Sequence, residues 1–413
     1  MKQKKYLEDT KLSIALFLFL FLLYAIVYMT KTMFTSAMAI IVEEGFMTKS
    51  QTGLINAVFW LVYAPFQVVG GFAADRYSSY KLILLGLAGA AISNLIIYMN
   101  QNYYVMMSAW IFNAIAQFGL WPGVFKIIST QTAPKMREKF VFWVFFATSI
   151  GFGLSMLITS FVTHWKHNFL VSLISLLVMM IAYVPFHHFL DQKMVESKSD
   201  SQENGKQAEE KKEPMIPLLF TSGLIVFLIV CLLRGAIDNG IKMMTPVMLM
   251  ESYETLPAAI STRISSVLIL FSAIGTFVAG YVQSKVTKNE AKAQILLYTA
   301  SLLPLIVVGF LGSIHYLWIL IALCVSVMLL HGAAPFSQSF AALHFRNYGR
   351  IGTVSGILNA TASIGNVLAS YVFAKMAELM PWRSVTASWL ITIVACGLLC
   401  AAVLPRWTRF TKE

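Results

Sequence analysis

Twelve apolar blocks, most of them about twenty residues or longer, divide this chain, and nothing else in it restricts the fold so strongly. A helix rising 1.5 Å per residue needs about twenty residues to cross roughly 30 Å of hydrocarbon. Read between charged or turn-rich breaks, the blocks predict helices at 12–40, 51–73, 82–99, 104–132, 140–163 and 167–190. A second six are predicted at 216–250, 258–284, 291–313, 315–343, 350–379 and 384–404. Only 12% of the 413 residues are charged while 58% are hydrophobic, too little polarity to cover a surface facing water. The expected fold class is an all-α membrane protein with 12 transmembrane helices in two pseudo-symmetric six-helix bundles.

The first block, from Leu12, outruns a signal-peptide core and lacks a small-residue cleavage site, so it is expected to stay as the first span. Cys231, Cys324, Cys396 and Cys400 fall inside apolar blocks, which makes them packing residues. The stretch from Asp191 to Pro214 is rich in Ser, Gln, Glu and Lys and reads as a solvated linker. The expected domains are therefore 1–190, a charged linker at 191–215, and 216–413.

A formal charge of +12 raises the question of nucleic acid, but the basic residues are scattered over short connections and form no stripe. Membrane topology accounts for them. With the N-terminus inside, 22 Lys and Arg fall on the cytoplasmic side and five on the other. Both termini and the linker are thus expected in the cytoplasm, and the location expected is the plasma membrane, such as a bacterial inner membrane.

The halves repeat. Gly71 to Arg76, after the second helix, is echoed by Gly280 to Lys285 after the eighth, and Ser149-Ile150-Gly151 recurs as Ser363-Ile364-Gly365. The separations are 209 and 214 residues, close enough to mean a duplicated six-helix unit. Gly71, Gly151, Gly153, Gly352, Gly356 and Gly365 are expected where helices approach closely, as packing or as sliding surfaces.

Charges inside the spans are the best pointers to function, since each costs roughly 2.5 to 3.5 kcal/mol at a helix centre. Lys31 lies 19 residues after Leu12 and Arg234 lies 18 after Ile216, which predicts matched depth for one cation from each half. Such a pair describes an anion site between repeats. The alternative is that Arg234 pairs with Asp238, one turn on, and Lys31 snorkels. Tyr24, Tyr28 and Lys31 share one helical face. Tyr63, Gln67, Asn113, Gln117, Thr148, Asn239, Asn359 and Asn366 are further polar groups at depth, most of them expected to bond between helices. Lys242 suits a structural or vestibule role and Lys126 an interfacial anchor. His331 could relay a proton, although a buried, satisfied histidine is the plainer reading. There is no metal-spaced His and Cys cluster and no phosphate loop ending in Lys-Ser or Lys-Thr, so no enzyme, metal or cofactor is expected.

Gly71, Asp75, Arg76 and Lys81 resemble the loop between helices two and three of the major facilitator superfamily, with Ser78 where a glycine is usual. The resemblance implies a conformational latch of Gly71, Asp75 and Arg76, in which Asp75 accepts hydrogen bonds from a neighbouring helix N-terminus; the alternative is a solvated surface turn that obeys the positive-inside rule. Within the superfamily the chain is most similar to the organophosphate:phosphate antiporters. Tyr28 to Phe34, Val42 to Phe46, Trp121 to Lys126, Leu232 to Gly235 and Gly352 to Gly356 carry that similarity. The family implies one basic residue from helix one and one from helix seven holding the substrate phosphate, positions at which Lys31 and Arg234 stand. A family lysine of helix two is Gln67 here and a family histidine of helix five is Thr148, which places both at binding positions and weakens the expectation of a standard sugar phosphate or glycerol phosphate.

The expected function is alternating-access transport of a small anionic organic solute, organophosphate-like, in exchange for phosphate. Arg234, Lys31, Tyr28, Tyr24, Gln67, Thr148, Tyr63 and Asp238 form the expected substrate-binding set. The alternatives are proton-coupled symport of a carboxylate or sugar acid, and a non-transporting membrane sensor of such a solute. The expected partners are the solute and the lipid bilayer, with no nucleic acid, for a monomeric protein.

Overall fold

The computed structural model describes residues 5–144, 146–196, 215–345 and 351–411, and helices make up nearly all of them. Ten helices among the described residues are long and apolar enough to cross a membrane. In chain order they are Thr10–Glu43, Lys49–Gly71, Ser79–Met99, Tyr103–Ile128, His167–Asp191, Leu224–Ser252, Ala258–Val286, Glu290–Val308, Tyr316–Gln338 and Trp382–Phe410. The other two expected segments are also helical. The fifth comprises Arg137–Val144 and Phe146–Thr159, on either side of residue 145. The eleventh runs from Ile351–Leu368 through a wider turn at Ala369–Phe373 to Ala374–Leu379. Leu85, Ile181, Leu303 and Ile391 are exposed by more than half, a display that suits hydrocarbon and not water.

The seventh helix departs from the expected 216–250. A short helix, Met215–Thr221, ends at Gly223, whose φ of 81° is left-handed, and the main helix starts at Leu224 with its amide donating to the Ser222 hydroxyl. The matched depth reckoned from Ile216 to Arg234 therefore does not run along one straight helix. In the tenth helix Pro335 lacks an amide hydrogen, and the next turn, Phe336–Phe340, widens to the π form.

The chain forms two compact units, 1–40 with 61–206, and 41–60 with 207–413. The first packs Leu20, Leu23, Ile83, Leu87, Val124 and Leu176 into its core. Two-residue strands, Lys5–Tyr6 and Val195–Glu196, pair antiparallel and tie the start of the first helix to the exit of the sixth. The second unit is built around Phe227, Cys231, Phe345, Leu358 and Trp407. All four cysteines are buried thiols, as packing residues should be. Most of the expected linker, 197–214, lies outside the described residues.

The repeated glycines do matching work in each unit. A Cβ on Gly151 would stand 2.3 Å from the Ala25 carbonyl oxygen and 2.9 Å from the Met29 nitrogen, so the fifth helix lies directly on the first. A Cβ on Gly365 would stand 2.2 Å from the Leu232 carbonyl oxygen and 2.9 Å from the Ala236 nitrogen, so the eleventh lies on the seventh in the same way. Both contacts are main chain to main chain, the packing that small residues permit where lipid offers no hydrophobic drive. Gly71 departs from its expected role, since nothing lies within 4 Å of a Cβ built there; its neighbour Gly70 meets the Phe118 carbonyl of the fourth helix instead. The surroundings of Gly352 and Gly356 lie outside the described residues.

Candidate functional site

Each unit holds one buried cationic cluster on the first helix of its half. In the first unit Lys31 is only 3% exposed. Its Nζ donates to the Tyr63 hydroxyl at 2.6 Å and sits 4.0 Å from the centre of that ring and 5.4 Å from the Tyr28 ring. Tyr24 and Gln67 lie beside Tyr63, and Tyr24 packs against Trp121 of the fourth helix at 4.8 Å between ring centres. Lys31 thus lies among three phenols, and no carboxylate pairs with it among the described residues. A desolvated cation–π contact contributes about 2 kcal/mol. A hydrogen bond from a charged group adds about 1.5 to 3 kcal/mol. Together they offset the insertion cost of the ammonium and leave its charge unneutralised.

The sequence expectations meet here unevenly. Tyr24, Tyr28, Lys31, Tyr63 and Gln67 come together as one cluster. Thr148 is half-buried on the fifth helix, three residues before the Gly151 contact with the first helix. Asn113 and Gln117 bond to each other at 2.6 Å within the fourth helix, where an interhelical bond was expected. Bonds between helices one and five join Thr32 and Ser36 to Ser155, at 3.0 and 2.7 Å, and Thr159 to the Met33 sulfur at 3.5 Å, which hydropathy alone could not single out. Lys126 donates to the Ala74 carbonyl near the end of the second helix. Arg76 is exposed there, and the Asp75 side chain of the expected latch lies outside the described residues.

In the second unit Arg234, Asp238 and Lys242 occupy successive turns of the seventh helix, at 4%, 8% and 7% exposure. Lys242 Nζ holds Asp238 through both oxygens, 2.8 Å from Oδ1 and 2.9 Å from Oδ2. Arg234 Nη1 stands off at 3.8 Å from Oδ2, beyond hydrogen-bond range, and its buried Nε has no hydrogen-bond partner among the described residues. Asp238 is therefore committed mainly to Lys242, and the expected Arg234–Asp238 pair is the looser one. Lys242 accordingly belongs to the cluster, which fits the structural role among the two expected for it. His331 of the tenth helix completes it, with Nδ1 3.1 Å from Asp238 Oδ2. Asn239 is half-buried next to Asp238, Asn366 is half-buried one residue after Gly365, and the Asn359 side chain lies outside the described residues.

A third group of charges in the second unit escaped the sequence reading because its members look like ordinary loop ends. Lys49 pairs with Glu251 at 2.9 Å and donates to the Ala377 carbonyl at 2.8 Å. Trp382 donates to the same Glu251, Glu43 accepts from the Ala258 amide, and Glu378 accepts from both the amide and the hydroxyl of Ser50. The turn after the first helix, made possible by Gly45 at φ 67°, is thereby fastened to the ends of helices seven, eight, eleven and twelve.

Residues 20–370 match the family model of the Major Facilitator Superfamily, and the chain belongs to that superfamily. It is a membrane transport protein and not an enzyme. The "Probable hexose phosphate transport protein" of Chlamydia pneumoniae is 21% identical to it over 97% of this chain and 92% of that protein. The "Membrane sensor protein UhpC" of Salmonella typhimurium is also 21% identical, over 92% of this chain and 88% of that one. These relatives accord with the likeness to organophosphate:phosphate antiporters seen in the motifs. Among solved structures, the nucleoside transporter NupG superposes with a TM-score of 0.71 at 14% identity, covering 97% of this chain and 99% of that one. A bacterial homolog of the human lysosomal transporter Spinster gives 0.69 at 16%, covering 98% of each. At such identities the likeness shows the fold.

Proposed function

We propose that the protein carries a small phosphorylated organic anion across the membrane by alternating access, in exchange for phosphate, with Lys31 and Arg234 as the groups that grip it. The observation that carries this reading is the unneutralised positive charge in both units. Among the described residues Lys31 has phenols and no carboxylate around it, and in the second unit two cations share the carboxylate of Asp238. A buried cation without a fixed counter-ion favours a mobile one. Arg234 offers a planar fork of donors that matches a phosphoryl group, while Lys31 serves as a point charge. Tyr24, Tyr28, Tyr63, Gln67 and Thr148 then supply neutral hydrogen bonds to the organic part, and Gly71, Asp75 and Arg76 act as the latch on the cytoplasmic side. The relatives named for hexose phosphate support a sugar-phosphate class of solute.

A second reading, sensing without transport, is favoured by the relative named as a membrane sensor. Ligand-induced thermal shifts on the purified protein, with hexose phosphates, inorganic phosphate and sugar acids, identify the solute class. Stabilisation by hexose phosphates and by inorganic phosphate, and not by sugar acids, is expected; stabilisation by sugar acids alone would overturn the phosphate assignment. Binding of such a solute without any flux in vesicles would decide for the sensor.

A further inference from the structure

His331 reaches two groups through a single atom. Its Nδ1 lies 3.1 Å from Asp238 Oδ2 and 3.4 Å from Lys242 Nζ. An ammonium only donates and a carboxylate only accepts. One ring nitrogen cannot serve both at once. Carrying a hydrogen, Nδ1 donates to Asp238; bare, it accepts from Lys242.

The oxygen at stake is itself shared. Asp238 Oδ2 is the atom that faces Arg234 Nη1 at 3.8 Å and accepts from Lys242 at 2.9 Å. A hydrogen on His331 therefore competes directly for the carboxylate oxygen toward which Arg234 leans. His331 is also the open member of the group. Its side chain is 31% exposed, against 5% for Arg234, 12% for Asp238 and 8% for Lys242.

The other helices of this unit bring little to compete with it. Cys231 of the seventh helix, Tyr298 of the ninth and Cys396 of the twelfth lie toward Arg234, and thiols and phenols are uncharged near neutrality. The eighth helix meets the tenth at Gly275 against Gly332 and carries no titratable side chain between Val267 and Ala279. The eleventh, from Ile351 to Leu368, carries none either.

We infer that His331 takes up one proton as an anion binds at Arg234, so that proton and anion occupancy rise together. The inference rests on the reading of Arg234 as an anion site. His331 starts as the neutral Nε2–H tautomer with Nδ1 bare; a proton from water adds to Nδ1, giving an imidazolium with both nitrogens protonated, and returns to water when the anion leaves, and no other bond is made or broken. Once in place it turns Nδ1 toward Asp238 Oδ2, loosens the claim of that oxygen on Arg234 and adds a positive charge to the cluster. Linkage makes the effect reciprocal: the anion raises proton affinity by the factor by which the proton raises anion affinity.

Titration calorimetry of inorganic phosphate into the purified full chain, in two buffers of different ionisation enthalpy near pH 6.5, counts the protons taken up per anion. Wild type should exceed His331→Gln by about half a proton or more, with phosphate still bound by the variant. Equal proton counts would overturn the inference and leave the anion site standing. Absence of phosphate binding to wild type would overturn both. Should His331→Gln not fold, the wild-type sulfate profile decides, because phosphate itself gains and loses a proton near neutrality and sulfate does not. Sulfate keeps its charge between pH 5.5 and 8, and its affinity should be about tenfold tighter at the acid end. A flat sulfate profile would count against a proton on His331.

Discussion

Replacing Gly151 with Ala tests the link between helix packing and the Lys31 cluster. A new Cβ there would lie 2.3 Å from the Ala25 carbonyl oxygen, 2.9 Å from the Met29 nitrogen and 2.9 Å from Tyr28 Cβ. Ordinary carbon contacts begin at about 3.5 Å, so helices one and five must part by about 1 Å. The obstacles include main-chain atoms, which cannot swing aside as a long side chain can. Overpacking of this kind costs about 1 to 3 kcal/mol. The displacement falls on Tyr28, whose ring stands 5.4 Å from Lys31 Nζ, so anion affinity should fall along with stability. Gly397→Ala is the control, because nothing lies within 4 Å of its added carbon and it belongs to neither cluster. Thermal unfolding in detergent and phosphate binding should both worsen for Gly151→Ala, by a few degrees and several-fold, and neither should worsen for Gly397→Ala. Equal behaviour of the two variants would refute the packing argument.

The remaining predictions concern charge. Lys31→Met should abolish phosphate binding while the unfolding temperature holds or rises, since it removes a buried cation that has no counter-ion among the described residues; a marked loss of stability would mean that Lys31 is structural. Asp238→Asn should destabilise the protein by about 3 to 5 kcal/mol by stranding Lys242 and Arg234, and Lys242→Met in the same chain should restore much of the loss in denaturation curves. The hydroxyl of Ser50 holds the exposed Glu378 carboxyl below the usual glutamate range. That contact therefore stabilises above the unfolded-state value and is lost as pH falls through the folded one. Ser50→Ala should flatten the acid limb of an unfolding-temperature profile, and superimposable profiles would dismiss the contact.

The spans were legible because hydrocarbon demands long apolar helices, a constraint strong enough to read from composition and length. The break at Gly223 was not, since Ser222 and Gly223 sit inside an apolar block and only the left-handed φ reveals the turn. Lys31, Tyr24 and Tyr28 could be grouped from helical spacing alone, and Tyr63 joined them only through tertiary packing. The repeat read in Gly151 and Gly365 proved physically meaningful, because both glycines press the backbone of the helix that carries the cation. Spacing suggested that Asp238 would answer Arg234, yet Lys242 is equally spaced on its other side and wins by about 1 Å, a choice that rotamers make and sequence does not record. The Lys49, Glu251 and Glu378 group was hidden for a similar reason: single charges at helix ends look like solvated surface until folding sets them together.

Counterflow of labelled phosphate in proteoliposomes tests the central claim most directly. Vesicles loaded with unlabelled phosphate and holding the wild-type protein should accumulate label. Unlabelled hexose phosphate outside should suppress the uptake, and vesicles holding Lys31→Met or Arg234→Met should show none. Uptake that survives both substitutions, or that neutral sugars suppress equally well, would contradict an anion gripped by those two residues.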